Sequence, residues 1–183
     1  MQSLPVSPSI VGESLELRPL QATDFESLYS VASDPLIWAQ HQSKTRYQEP
    51  VFREWFNEAL TSKSALIVIE RDSGKVVGSS RYYEYSEERR EVAIGYTFLS
   101  REKWGGNANR ELKRLMLKHA FQWVDTVWFH VAGQNIRSQR AMEKIGGELS
   151  HKLIKPLTEG SQENYFYKVE RATFEDRHSI INS

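Results

Sequence analysis

The sequence predicts one mixed α/β domain, a mixed sheet with helices packed on it. Three observations carry that prediction. Apolar patterns of period 2 and period 3.6 succeed one another along the chain in the order β-α-α-β-β-β-α-β-α-β-β. A hairpin signal, Asp72-Ser73-Gly74, joins two β-rich runs. The chain has 183 residues, 39% hydrophobic and 26% charged, with five Trp, eight Tyr and eight Phe, a globular balance with ample material for a core. No internal repeat, low-complexity run or linker divides it, so residues 1–183 form a single domain. Its core spans about 13–170, and residues 1–12 and 172–183 are expected to be flexible.

Leu15–Leu20 alternates Leu15 and Leu17 with Glu16 and Arg18, a short strand that Pro19 ends or places at an edge. Thr23, with Glu26 three residues on, caps a helix whose apolar stripe is Phe25, Leu28, Tyr29 and Ala32, and Asp34-Pro35 stops it. Gln40–Glu49 is polar loop. Val51–Leu60 follows Pro50 as a second helix burying Phe52, Trp55, Phe56 and Ala59. The period then changes. Ala65–Glu70, Val76–Tyr83 and Glu91–Leu99 read as strands, and Trp104–Asn109 opens a helix with Leu112, Leu115, Met116, Ala120 and Trp123 on one face. Thr126–Val131 is a strand. Asn135 caps a helix holding Ala141, Met142 and Ile145, and Gly146-Gly147 ends it. Glu148–Ile154 and Asn164–Glu170 pair around a turn at Thr158–Gln162.

Composition excludes several chemistries. Without cysteine there is no disulfide, thiolate zinc site or Cys nucleophile. The five His have no metal-ligand spacing, so no metal is expected. Formal charge is zero, which argues against nucleic acid as a partner. The N-terminus has no signal-peptide pattern and no apolar run approaches the roughly 20 residues a membrane helix needs. The expected compartment is the cytoplasm, with no membrane partner.

Strand, then Trp104-Gly105-Gly106-Asn107-Ala108-Asn109, then a long amphipathic helix is the most informative stretch. Paired glycines there let a ligand approach the backbone, and a helix N-terminus carries about half a positive charge, which together suit a pyrophosphate. The alternative is a tight strand–helix turn. Neither a Gly-Lys-Ser/Thr phosphate loop nor a G-x-G-x-x-G fingerprint is present. Arg101, Lys103, Arg110, Lys113, Arg114 and Lys118 outnumber Glu102 and Glu111 around this loop, and Arg137, Arg140 and Lys144 lie on the next helix. Local positive charge of this kind suits a polyphosphate, although most such runs are solvated helix faces. Asn135 and Ser138, directly after a strand, fall where α/β sheets bind ligands.

Three motifs in order, Glu91-Val-Ala-Ile-Gly-Tyr-Thr-Phe-Leu99, Trp104-Gly-Gly-Asn-Ala-Asn-Arg-Glu111 and Asn135-x-x-Ser138 running to Glu143-Lys-Ile-Gly146, resemble the GNAT superfamily of acyl-CoA N-acyltransferases. Leu15-Glu-Leu-Arg-Pro-Leu20 and Asp24 look like its RimJ/RimL branch, which acetylates ribosomal-protein N-termini. The resemblance covers roughly residues 13–170 and implies the GNAT-type fold, a central mixed, mostly antiparallel sheet flanked by helices. It implies acetyl-CoA as co-substrate and no metal. Thr97, Phe98 and Leu99 match the strand that pairs with pantetheine. The family loop falls on Lys103, Trp104, Gly105, Gly106, Asn107 and Ala108, so the amides from Gly105 through Asn109 to Arg110 hold the pyrophosphate. Lys103 stands where the family has Gln or Arg. Asn135 matches a cofactor-contacting Asn, Arg140 is assigned to cofactor binding with it, and Ser138 matches the suggested proton donor to the leaving thiolate.

Ala93 occupies the position where many members of the branch carry a carboxylate. Glu91, two residues earlier on the same strand face, is the candidate base, directly or through water; its alternative is an exposed strand-end glutamate. His41, Tyr83 and Glu84 are weaker candidates for the acceptor pocket, and His119 and His130 read as packing residues. The expected activity is transfer of an acetyl group from acetyl-CoA to a primary amine, a small molecule or a protein N-terminus, by direct attack in a ternary complex. A non-catalytic acyl-CoA-binding sensor is the alternative, kept by Ala93, and an adaptor without ligand requires both motifs to be coincidental. The acceptor is not legible, and a homodimer is compatible with the resemblance.

Overall fold

A computed structural model of the chain describes residues 3–156 and 161–175. Eight strands form one sheet in the order β1-β2-β3-β4-β5-β6-β8-β7. They are β1 (Ile10–Val11), β2 (Leu15–Pro19), β3 (Ala65–Glu70), β4 (Val76–Ser86), β5 (Glu91–Leu99), β6 (Thr126–Ala132), β7 (Glu148–Pro156) and β8 (Ser161–Glu170). The helices are α1 (Phe25–Ala32), α2 (Glu49–Ser62), α3 (Ala108–Ala120) and α4 (Ile136–Ile145). Neighbouring strands are antiparallel except β5 and β6, which run parallel and are joined through α3. A parallel pair needs such a crossover, because a tight turn cannot return the chain to the same end of the sheet.

Alternation along the strands sends side chains to two faces, each with its own core. On one face Leu17, Leu66, Tyr82, Ile94, Val127 and Phe129 pack with Leu112, Met116 and Leu117 of α3. Tyr82 Oη donates to the Met116 carbonyl at 2.7 Å, so the buried hydroxyl is satisfied. On the other face an aromatic cluster, Phe25, Trp38, Phe52, Trp55, Phe56 and Phe98, sits under α1 and α2. The Phe25 and Phe56 rings meet edge-on at 5.2 Å, a favoured aromatic geometry.

The predicted mixed fold and its element order are present, with local differences. The cap expected at Thr23 is displaced: a 3-10 turn, Ala22–Asp24, intervenes, with Gln21 and Asp24 as the reciprocal capping pair. Pro35 starts a further 3-10 turn, and Asp34 accepts from Leu36 N at 3.0 Å. β1 was not expected. Two residues show no alternation, and only their pairing with Leu17 and Glu16 makes them a strand. Leu4, in the stretch expected to be flexible, is buried in the first core. Residues 171–175 are helical and Phe174 packs on Phe121 at 5.2 Å. The turn expected at Thr158–Gln162 lies mainly outside the described residues.

Candidate functional site

The parallel ladder between β5 and β6 is short. It pairs Glu91, Val92 and Ala93 with Thr126, Val127 and Trp128, and beyond that the strands part while β5 continues to Leu99 and β6 to Ala132. On the other side of β5, one residue of β4 lies opposite both Tyr96 and Thr97, between the pairs Ser79↔Phe98 and Arg81↔Gly95. This is a β-bulge, and Tyr96 has a φ of +54°. Gly95 beside it cannot carry a side chain without displacing Tyr83, whose ring would lie 2.8 Å from the added Cβ.

The opening holds a cleft of about 510 Å³. Thr97, Phe98, Leu99, Lys103, Trp104, Gly105, Gly106, Asn109, Arg110, Asn135, Ser138 and Arg140 all line it, so residues from three separate stretches meet there. Asn107 and Ala108 are not among its lining residues; they are the N-cap position and the first residue of α3. The first N–H groups of a helix have no acceptor within it, and no side chain caps these. Gly105 adopts φ +73°, and a Cβ there would meet no atom within 4 Å; one at Gly106 would meet only the Lys103 carbonyl, at 3.9 Å. The helix end therefore faces open space over a smooth backbone.

Side chains brace this loop. Trp104 Nε1 donates to the Leu99 carbonyl at 3.1 Å, and the Arg137 guanidinium lies 3.8 Å over the Trp104 ring. Lys103 is ion-paired to Glu70, which commits its ammonium to the protein. Asn135 caps α4 as expected, its side chain accepting from Ser138 N at 3.1 Å. Asp24, one basis of the branch resemblance, is held bidentately by Arg18 at 2.8 and 2.9 Å and accepts from Gln21 N, a structural role.

The structure does not bring Glu91 to the cleft. It sits at the start of β5, at the paired end of the split, and is not a lining residue. Its carboxylate accepts from Arg89 and, at 2.9 Å, from Trp128 Nε1; the Arg89 bond is the main reason it lies below the usual carboxylate range. A carboxylate held in its charged form this way is a poor proton acceptor. His130, read from sequence as packing, does pack on Tyr83 and Phe166 and also lines the cleft. It stands edge-on to Tyr83 at 5.5 Å, with its Nε2 3.9 Å from Glu84 Oε2. His41 also lines the cleft, and burial together with the Arg46 and Arg137 charges pushes its imidazole down to about 4, so it is neutral at physiological pH.

Lys113, named from sequence only as one of the cations around the glycine loop, is buried, which sequence reasoning missed. It lines the cleft at 4% exposure, its Nζ donating to Thr97 Oγ1 at 2.7 Å and lying 5.2 Å from the Phe129 ring centroid. One signal was available: position 113 falls three residues before Met116 and four before Leu117, in the inward stripe of α3. Among the described residues, those lining the cleft include no Asp or Glu, and no group of His, Asp and Glu is disposed to hold a metal ion. No described helix is long and apolar enough to cross a membrane.

Solved structures share this fold. A GNAT-family acetyltransferase from Bacillus anthracis superposes with a TM-score of 0.76 at 20% identity, covering 89% of this chain and 98% of that one. A GCN5-related N-acetyltransferase from Brucella melitensis gives 0.83 at 18% identity, covering 92% and 81%. Spermidine N-acetyltransferase from Vibrio cholerae, in complex with CoA and spermine, gives 0.71 at 15% identity, covering 89% and 99%. No curated protein matches the chain. The sequence model of the acetyltransferase (GNAT) domain matches residues 14–148, a span that contains the split strands, the glycine loop and the Asn135 cap, and the chain belongs to that family.

Proposed function

We propose that the protein is a cytoplasmic N-acetyltransferase that moves an acetyl group from acetyl-CoA to a primary amine by direct attack in a ternary complex. The observation that carries this reading is the cleft itself. Two strands part beside a bulge, and uncapped N–H groups of α3 meet open space at their phosphate end.

Acetyl-CoA supplies the activated acyl group. The N-terminal amides of α3 bind its pyrophosphate, helped by Arg110 and Arg140. The Lys103 side chain takes no part, being committed to Glu70. Main-chain groups of Thr97 to Leu99 hold the pantetheine where β6 no longer pairs with β5. The chain has no cysteine to carry a thioester intermediate, so the amine attacks directly. His130 accepts the amine proton with Glu84 beside it, in place of Glu91, and Ser138 protonates the leaving thiolate.

The lining also bears on the acceptor. A polycation such as spermidine needs carboxylates to meet its distal charges, and this cleft offers cations in their place: Arg137, Arg140 and Lys144. Monoamines, amino sugars and the α-amino groups of peptides, including the RimJ/RimL type of acceptor, suit it better. Mass-spectrometric detection of acetylated product from a panel of these and of polyamines tests the assignment. Turnover confined to polyamines would overturn the acceptor class. A buried Ala93 at the position of the branch carboxylate favours the second reading, a non-catalytic acyl-CoA sensor, and absence of turnover across the panel with CoA still bound would establish it.

A further inference from the structure

Lys113 is a buried cation in the wall of the cleft. It reaches in from the second turn of α3, and among the described residues its polar partner is the Thr97 hydroxyl, which is itself engaged with Ser80 Oγ at 2.8 Å. No carboxylate lies within ion-pair distance of its Nζ among the described residues. A buried ammonium with one neutral hydrogen bond is costly, and such a group persists where a ligand or a reaction uses it.

Its position restricts what it can do. Phe129 and His130 are adjacent on β6, so they face opposite sides of the sheet. Phe129 belongs to the core under α3, and Lys113 lies against it. His130 stands on the other side, with Tyr83 and with Phe166 at 4.4 Å. The split between β5 and β6 therefore has a cation on one face and an imidazole on the other. An acceptor amine that meets His130 leaves Lys113 to the far side of the reacting carbonyl.

We infer that Lys113 is a catalytic residue of the acyl transfer, its ammonium donating a hydrogen bond to the thioester carbonyl oxygen and stabilising the oxyanion. The inference rests on the acyl-CoA reading of the cleft. The amine lone pair forms the C–N bond and the carbonyl π pair moves onto oxygen, where the Lys113 ammonium meets it. Return of that pair expels the thiolate, which takes the Ser138 proton; the amine proton goes to His130, and solvent restores both residues. Lys113 gains and loses no proton in the cycle. Burial pushes its amine down to about 7, so the donor form is lost as pH rises through neutrality. The charged or titratable groups lining the cleft around it, Tyr96, Lys103, Arg110, Arg137, Arg140, Lys144, His41 and His130, include no carboxylate, and none stabilises its charge.

The test uses acetyl-CoA labelled with 13C at the thioester carbonyl, bound to the full chain, with no acceptor required. CoA calorimetry on the wild type tests the acyl-CoA reading by itself. In a wild type that binds CoA, the labelled resonance is expected to move downfield on binding. It should return toward its free position as pH rises through the Lys113 titration. Lys113→Met should abolish the downfield shift, keep CoA affinity and thermal midpoint, and lower kcat by about 10²–10³-fold, the usual loss for one oxyanion donor. Lys113→Arg, charged at every accessible pH, should restore part of the rate and lose the alkaline limb of the pH–rate profile. A wild-type shift and rate in Lys113→Met would overturn the inference. So would loss of CoA affinity with kcat intact, which would make Lys113 a binding residue only.

Discussion

Ser138 lines the cleft from the first turn of α4, and its main-chain N–H is already spent on the Asn135 cap, so its hydroxyl can be removed without disturbing the helix start. Ser138→Ala should lower kcat by about ten- to a thousandfold with acetyl-CoA affinity unchanged, as loss of a general acid does; steady-state kinetics paired with calorimetry checks both halves. Glu91 is the opposite case. Its carboxylate is tied to Arg89 and Trp128, so Glu91→Gln should leave the pH–rate profile intact, and loss of the acidic limb would return it to the mechanism. His41 predicts a stability effect with a definite sign. Its folded-state value near 4 lies below the ordinary imidazole value, so the unfolded chain binds the proton more readily. Its contribution is complete above about 6.5 and is lost as pH falls toward 4. Thermal midpoints measured across that window should fall faster for the wild type than for His41→Gln.

At the scale of elements, α4 is the simplest to test, because one side chain both caps it and lines the cleft. Asn135→Ala removes the acceptor for Ser138 N and should cost about 1 kcal/mol of stability, seen as a lower thermal midpoint. Weaker CoA binding should accompany it if the Asn135 side chain meets the cofactor; an unchanged midpoint would mean that the cap adds nothing. Elements of this kind were readable in the sequence wherever their signal is local. The Asn135 cap, the Gly146 end at φ +83°, the bounds of Ala65–Glu70 and Glu91–Leu99 and the inward face of α3 each follow from period or from one residue's conformational preference. What was not readable depends on distant partners. Ile10–Val11 is a strand because β2 is beside it, and Glu91 is excluded from the cleft because the strands part after Ala93. Lys113 reads from sequence as one of six cations suited to a polyphosphate or to a solvated helix face, and its burial depends on the strands packed opposite it. His130 packs as read, on Tyr83 and Phe166, but its place on the cleft was not legible for the same reason: alternation tells that a residue faces one side of a sheet, not that the side is an open cleft.

For the whole molecule, the decisive feature is an eight-stranded sheet that opens along one line, between the two strands that, among the described residues, run parallel as neighbours. The β5–β6 ladder ends at Ala93; beyond it β5 stays paired to β4 through a bulge and packs Phe98 on Trp38, which leaves its main-chain groups on the β6 side open to the cleft. The opening joins the carboxyl ends of β5 and β6 to the N-terminus of α3. Its lining carries several cations and, among the described residues, no carboxylate. A neutral chain has thus concentrated positive potential in one cleft, which favours an anionic ligand of nucleotide size.

The central claim is that the Gly105–Gly106 turn and the α3 N-terminus hold a pyrophosphate, and Gly106→Asp tests it most directly. Gly106 does not have a positive φ, and a Cβ there would meet only the Lys103 carbonyl at 3.9 Å, so the fold has room for the substitution. Gly105, at φ +73°, would be the wrong choice, because a side chain there strains the backbone by about 1–2 kcal/mol whatever the ligand. A carboxylate at 106 occupies the space in front of the helix amides and repels an anion held there. CoA affinity by calorimetry, paired with the thermal midpoint by circular dichroism, should show binding abolished and the midpoint essentially unchanged. Retained affinity in a folded Gly106→Asp protein would contradict the cradle, and with it the acyl-CoA assignment of the cleft.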